Sequence, residues 1–117
     1  MGVAAATVLH AGAIVAQDAA GHAVPASTAT TLKAVGRAEQ AVDNSLGAAG
    51  DKTVRVRRGV FRYANSAGAD EITAAEVGDT CYLVDDQTVA KTSGTNTRSA
   101  AGKVRGIEAR GVWVLFS

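Results

Sequence analysis

The sequence predicts an all-β protein: an antiparallel β-sandwich, a jelly roll or a small barrel, with at most one short helical turn. Residues 53–57 alternate valine with threonine and arginine, which is the period of a half-buried strand. Clusters of turn-forming residues recur at intervals of roughly ten residues, as they do between the short strands of sandwiches and barrels. No window carries the i, i+3, i+4, i+7 apolar stripe of an amphipathic helix, although the chain has 25 alanines.

Two strands are predicted in the first half of the chain. Residues 32–42 alternate between two faces, and the face that carries Gly36 and Ala38 is small enough to let another backbone approach closely. The second strand is the alternating segment 53–57, with valine inside and charge outside. Beyond it Gly59 shifts the phase of the bulky residues, which predicts a bulge or a corner at that glycine.

The second half contains the predicted helical turn and a predicted hairpin. Thr73 and Glu76 have the spacing of a capping box, which favours one short turn of helix there. Residues 103–109 and 112–116 have the lengths of two strands, separated by a tight Arg110-Gly111 link. We therefore expect the chain to end in a β-hairpin.

The last predicted strand is apolar on both faces. Val112, Val114 and Phe116 point one way, and Trp113 and Leu115 point the other way. Strands with two apolar faces occur inside sheets or where a second subunit covers the outer face. The sequence leaves two alternatives for Trp113: either a loop covers it or a partner does.

Length and composition predict one domain with a weak core. The 117 residues allow a single domain, residues 1–117. The chain has 25 alanines and only 25 isoleucines, leucines, valines and phenylalanines in total, so each buried residue contributes little transfer free energy. We expect marginal stability as a monomer and stabilisation by partner surfaces.

Charge and cysteine content exclude several classes of protein. Twelve Lys and Arg are mixed with eleven Asp and Glu, which leaves no basic patch of the size expected for a nucleic-acid-binding protein. The single Cys81 excludes an intramolecular disulfide and fits synthesis in a reducing cytosol. We interpret Cys81 as a buried small hydrophobic residue.

The apolar opening segment, residues 1–16, is predicted to be neither a signal peptide nor a membrane span. It has no basic region at its start, and His10 interrupts it. Gln17 and Asp18 end it before the roughly 20 residues that a span requires. No membrane association is expected.

No arrangement of residues predicts catalysis, a metal or a cofactor. Asp85 and Asp86 are adjacent, so on a strand they would face opposite ways, and the residues after them favour a turn. His10 and His22 have no metal-ligand spacing. We therefore expect no enzyme. Two glycine-rich stretches lack the lysine and following helix of a phosphate-binding loop and are interpreted as turns: residues 47–50 and 102–106.

The densest basic cluster is formed by Arg55, Arg57, Arg58 and Arg62. Alternation places Arg55 and Arg57 on one face, where they are able to meet an acidic partner. Three interpretations stay open: a solvated face, a protein–protein contact, and nucleic acid, which the mixed charge elsewhere disfavours. The candidate interface residues are Arg55, Arg57, Arg58 and Trp113.

Eight segments, in order along most of the chain, resemble the capsid cement or head decoration proteins of tailed double-stranded DNA bacteriophages. The chain has fewer residues before its first strand than such proteins usually carry. The resembling segments are residues 11–16 (AGAIVA), 21–26 (GHAVPA), 32–39 (LKAVGRAE), 42–45 (VDNS), 50–62 (GDKTVRVRRGVFR), 78–82 (GDTCY), 84–90 (VDDQTVA) and 111–114 (GVWV).

The resemblance implies a structural virion protein without enzymatic activity. Such a protein sits on the outer surface of the phage head, after synthesis in the cytoplasm of the host bacterium, and clamps neighbouring major capsid proteins together. The implied partners are the major capsid protein and further copies of the chain, as a homodimer or alternatively a trimer. A β-sandwich binding module that recognises carbohydrate or a host surface is the alternative, although only five aromatic residues are present.

Overall fold

The computed structural model describes all 117 residues, which form eleven short strands and two 3-10 helices. The 3-10 helices are Gly68–Asp70 and Ala74–Glu76. The predicted all-β class is confirmed, with two single helical turns where we expected at most one. The strands are β1 (Thr7–Leu9), β2 (Ile14–Gln17), β3 (Ala23–Pro25), β4 (Lys33–Ala38), β5 (Val42–Asn44), β6 (Val56–Arg57), β7 (Gly59–Asn65), β8 (Thr80–Leu83), β9 (Thr88–Ala90), β10 (Ala100–Glu108) and β11 (Gly111–Phe116).

The strands form a small closed barrel, a four-stranded sheet and a two-stranded ribbon. The barrel has the order β10-β11-β7-β9-β8, the sheet has the order β3-β2-β4-β6, and the ribbon pairs β1 with β5. All strand pairs are antiparallel except β7 with β9, which is parallel. The two 3-10 helices and β8 lie between β7 and β9 in the chain, and this connection is long enough to return the chain in the same direction.

Two hydrophobic cores meet at β2. Ile14 and Ala16 belong to the core of the barrel, and Val15 between them belongs to the smaller core under the ribbon. All three side chains are buried, because alternate residues of a strand point to opposite faces and each face is covered. The molecule is elongated accordingly, with extents of 43 × 26 × 21 Å.

The predicted strand 32–42 is interrupted. β4 ends at Ala38 and β5 begins at Val42, because β4 pairs with β2 and β6 whereas β5 pairs with β1. The chain must therefore bend between the two sheets. The predicted close approach at Gly36 is confirmed, since a Cβ on Gly36 would collide with the backbone carbonyl oxygen of Arg57 in β6.

The alternation predicted around residue 55 is confirmed, although the regular strand is shorter than predicted. Val54 is buried and Val56 is half-buried, while Arg55 and Arg57 are exposed. Only Val56–Arg57 pairs with β4 as a strand. Gly59, with φ +144°, is the corner at which the chain leaves the four-stranded sheet and enters the barrel as β7.

The predicted C-terminal hairpin is confirmed, with its turn one residue earlier than expected. Glu108 faces Gly111 across the ladder, so the two turn residues are Ala109 and Arg110. The interpretation of residues 102–106 as a turn was wrong, because they lie inside β10. The register of β10 shifts twice, between Ala100 and Gly102 and between Val104 and Gly106, and each shift ends at one of these two glycines.

The predicted capping box is confirmed at the second 3-10 helix. The backbone N–H of Thr73 donates to Oε1 of Glu76 at 2.7 Å, and the N–H of Ala75 donates to Oγ1 of Thr73 at 3.4 Å. These two bonds satisfy backbone donors that a helix start leaves free. The hydrogen bond from the Thr73 backbone also lowers the pKa of the Glu76 carboxyl.

The apolar opening segment is built into the sheets. Gly2 forms a β-bridge with Thr53, and Val3 forms one with Ala23. The buried Asn44 side chain donates to the carbonyl oxygen of Ala4 at 3.0 Å and so ties this segment to the end of β5. No helix of the protein combines the length and apolar character needed to cross a membrane.

Candidate functional site

Trp113 lies on the outer face of β11 and is 38% exposed. The side chains on either side of it, Val112 and Val114, point into the barrel and are fully buried. The two apolar faces predicted for this strand are therefore confirmed. The chain itself covers the rest of the indole, and the exposed fraction is open to a partner.

The surface around Trp113 combines apolar and cationic side chains. On the neighbouring strand β7, Val60 faces Leu115 and Arg62 faces Trp113 in register. Val60 is 39% exposed and Leu115 is half-buried, so the apolar area continues along both strands. The guanidinium of Arg62 lies 6.0 Å from the centre of the indole ring, within range of a cation–π contact.

A shallow groove of about 500 Å³ runs beside this surface. β4, β6 and β7 each contribute one arginine to it, and β7 and β11 contribute apolar side chains. We call this groove, together with the outer faces of β7 and β11, the Trp113 face. The groove is lined by Gly12, Arg37, Arg57, Val60, Phe61, Arg62, Tyr63 and Trp113.

Two of the three groove arginines are paired with carboxylates. Arg62 donates to Oε1 of Glu108 at 2.7 Å, and this hydrogen bond holds the pKa of the Glu108 carboxyl below its usual value. Arg37 donates to Oε1 of Glu39 at 3.0 Å, and its guanidinium lies 4.0 Å above the centre of the Phe61 ring. Both ion pairs are partly exposed, so their main effect is to orient the arginines.

The structure brings together two of the four candidate interface residues. Arg57 and Trp113 line the same groove. Arg55 and Arg58 are exposed outside it, and Nε of Arg55 donates to Oε1 of Gln40 at 3.0 Å. The sequence analysis missed Arg37, because the only signal for it is the pairing of β4 with β6.

Asp85 and Cys81 have structural roles. Oδ1 of Asp85 accepts from the backbone N–H of Gln87 at 2.8 Å, as the predicted turn requires. Cys81 is buried as predicted, and burial raises the pKa of its thiol to about 11. No three His, Cys, Asp or Glu side chains come close enough together to hold a metal ion.

Comparison of the chain with protein-family models, with curated proteins and with solved structures gave no match. An exposed tryptophan beside arginines, on the wall of a closed barrel, is the type of surface that proteins use to contact other proteins.

Proposed function

We propose that the protein is a capsid cement protein. In this proposal it binds the outer surface of a tailed bacteriophage head and holds neighbouring major capsid proteins together, without catalysing a reaction. The observation that carries the proposal is the Trp113 face, where an exposed indole lies beside Arg57 and Arg62 on the outside of the barrel. The sequence resemblance to cement proteins supports it independently.

The chemistry of the Trp113 face suits a permanent contact between proteins. Tryptophan and arginine are enriched among the residues that dominate binding energy at interfaces. Both Val60 and Trp113 project from strands of a closed barrel, so their positions are set before binding and little ordering entropy opposes association. Many equivalent contacts on one shell stabilise the assembled head by mass action.

The small core suits a protein that is stabilised by its partners. Most buried apolar residues are alanines and valines, which remove little apolar area per residue from water. We propose that the chain also binds itself, as a homodimer or alternatively as a trimer. Sedimentation equilibrium over a range of concentrations distinguishes these states from a monomer.

The proposal is tested with purified heads that lack this protein. We expect saturable binding of the wild-type protein and greater resistance of the loaded heads to heat and to chelator. Trp113→Ala should weaken binding at least tenfold while lowering the free energy of unfolding by only about 1 kcal/mol, because the indole is partly exposed already. Unfolding is followed by circular dichroism, since this variant has no tryptophan to report by fluorescence.

Val77→Ala is the matched control. Val77 is an exposed apolar residue that follows the second 3-10 helix and does not line the groove. It should bind heads as the wild type does. An absence of saturable binding would contradict the proposal, and so would a Trp113→Ala variant that loses stability but keeps its affinity for heads.

The alternative function, recognition of carbohydrate or of a host surface, is tested with the same variants. One observation favours it, the exposed Trp113 beside a groove, because sugars stack on exposed aromatic rings. Three other aromatics are occupied in packing: Phe116 lies 6.4 Å from Phe61 and 5.9 Å from Tyr63 between ring centres. A glycan array that gives hits with the wild type and none with Trp113→Ala would favour this alternative over cement.

A further inference from the structure

Two arginines face each other across the β4–β6 pair at the edge of the groove. Arg37 and Arg57 are direct Cα partners in the antiparallel register. Like charges directly opposite each other on a sheet are destabilising, and Glu39 offsets the charge of Arg37 only. The barrel side of the same groove carries a third arginine, Arg62.

Only one of these three arginines lacks a carboxylate. Glu39 pairs with Arg37, and Glu108 pairs with Arg62. Arg57 makes no salt bridge and donates no side-chain hydrogen bond within the protein, and it is exposed to solvent. The planar donor fork of an arginine matches the two oxygens of a carboxylate, so Arg57 is the open cationic position of the groove.

We infer that the Trp113 face binds an acidic segment of a partner protein, with a carboxylate on Arg57 and an apolar side chain on Trp113 and Val60. Charge complementarity identifies the occupant: the groove offers a free guanidinium beside 38% exposed tryptophan and 39% exposed valine. This inference rests on the proposed function, because it concerns the same surface, and it names the chemistry of the partner.

Protein is favoured over nucleic acid as the occupant for two reasons. The whole chain carries a net charge of only +1, so it lacks the extended basic surface that nucleic acid requires. The apolar area of Val60 and Trp113 instead suits the apolar side of an amphipathic protein segment.

Trp113 is the only tryptophan of the chain, so its fluorescence reports directly on the groove. The probe is a short capped peptide that alternates leucine with aspartate, titrated at low ionic strength, and its control is the same peptide with asparagine for aspartate. We expect saturable quenching or a blue shift with the aspartate peptide, and at least tenfold weaker binding of the asparagine peptide.

Arg57→Gln should weaken binding of the aspartate peptide about tenfold or more, because it removes a charge-assisted bidentate contact. Arg55 is also exposed but lies outside the groove, so Arg55→Gln should bind within about twofold of the wild type. Equal binding of the two peptides, equal effects of the two substitutions, no fluorescence change, or tighter binding of a short DNA duplex than of the aspartate peptide would each overturn the inference.

The same variants separate this inference from the proposed function. If heads bind the wild type saturably and bind Arg57→Gln equally well, the inference is wrong and the cement function stands. If the aspartate peptide binds through Arg57 while heads are not bound at all, the cement function is wrong and the acidic partner lies elsewhere.

Discussion

Two strands of this protein, β2 and β11, are apolar on both faces, but they differ in how much of each face the chain covers. β2 lies between the two cores, with Ile14 against the barrel core and Val15 against the smaller one. β11 lies in the barrel wall, with Val114 inside and Trp113 outside at 38% exposure. β2 is covered by its own chain on both sides, whereas the outer face of β11 is only partly covered.

This difference gives the two strands different roles: β2 stabilises the fold, and the outer face of β11 is available for binding. The apolar residues of β2 stabilise the monomer, because each one is already removed from water. The outer residues of β11 keep part of their apolar area exposed, so they are able to stabilise a complex. Both strands are short and mostly apolar, and their surroundings assign these different roles.

The largest effect is expected in β2. Ile14→Ala should lower the free energy of unfolding by about 3 kcal/mol, because it leaves a cavity in the barrel core. The measurement is urea unfolding followed by circular dichroism, with Trp113→Ala on the open face of β11 as the comparison. If the two substitutions destabilise the protein equally, the distinction between a covered strand and an open strand is lost.

A second comparison is between two glycines, Gly36 in the four-stranded sheet and Gly106 in the barrel wall. Gly36→Ala should cost about 2 kcal/mol, because its Cβ would collide with the backbone of Arg57. Gly106→Ala should change stability by less than about 0.5 kcal/mol, since the nearest atom to its Cβ is Cδ1 of Trp113 at 3.9 Å. Equal urea midpoints for the two variants would contradict the close packing of β4 on β6.

The ionisation of Tyr63 at high pH tests whether the inner face of the barrel is covered. Its hydroxyl donates to the carbonyl oxygen of Gly12 at 3.0 Å, and burial raises the pKa of Tyr63 to about 12 from 10.0. The stability that this residue contributes is therefore present below pH 10 and is lost as the pH rises from 10 toward 12.

Tyr63→Phe should cost about 1 kcal/mol at neutral pH through the lost hydrogen bond. The difference in urea midpoint between wild type and variant should then shrink above pH 10. Burial also raises the pKa of Cys81 to about 11, but this thiol is present in both proteins and its effect cancels in the comparison. A constant difference between pH 9 and pH 12 would show that Tyr63 ionises normally.

The smallest effect is expected at the ion pair on the open face. Glu108→Gln should barely change the urea midpoint, because Arg62 and Glu108 are both exposed and solvent screens their charges. The hydrogen bond from Arg62 lowers the pKa of Glu108 below 4.5, so any stabilisation is present above pH 4.5 and is lost as the pH falls below it. A large difference at pH 7 would mean that solvent screens this ion pair less than its exposure implies.

Local features of the sequence predicted local features of the fold. The alternation of valine and arginine predicted that Val54 is buried while Arg55 and Arg57 are exposed. Thr73 and Glu76 predicted the capped turn. Each of these signals depends on residues a few positions apart, so it can be found in the sequence without the tertiary structure.

Features that depend on distant pairing were not predictable in the same way. The parallel pairing of β7 with β9 has no local signal, since strand sequence does not specify direction. The position of Arg37 opposite Arg57 depends on the register between β4 and β6. For the candidate site, the sequence analysis predicted Trp113 and Arg57. Only the register between β4 and β6 shows that Arg37 joins them and that Arg55 and Arg58 lie outside the groove.

The sequence by itself determined an all-β chain of short strands, a C-terminal hairpin and an outward-facing Trp113, because period-two alternation and turn chemistry act within each segment. Only the tertiary structure decided that β2 is the strand covered on both faces and that Arg57 shares a groove with Trp113. Those outcomes depend on how two cores pack around one strand and on which strands become neighbours, and no single segment of the chain contains that information.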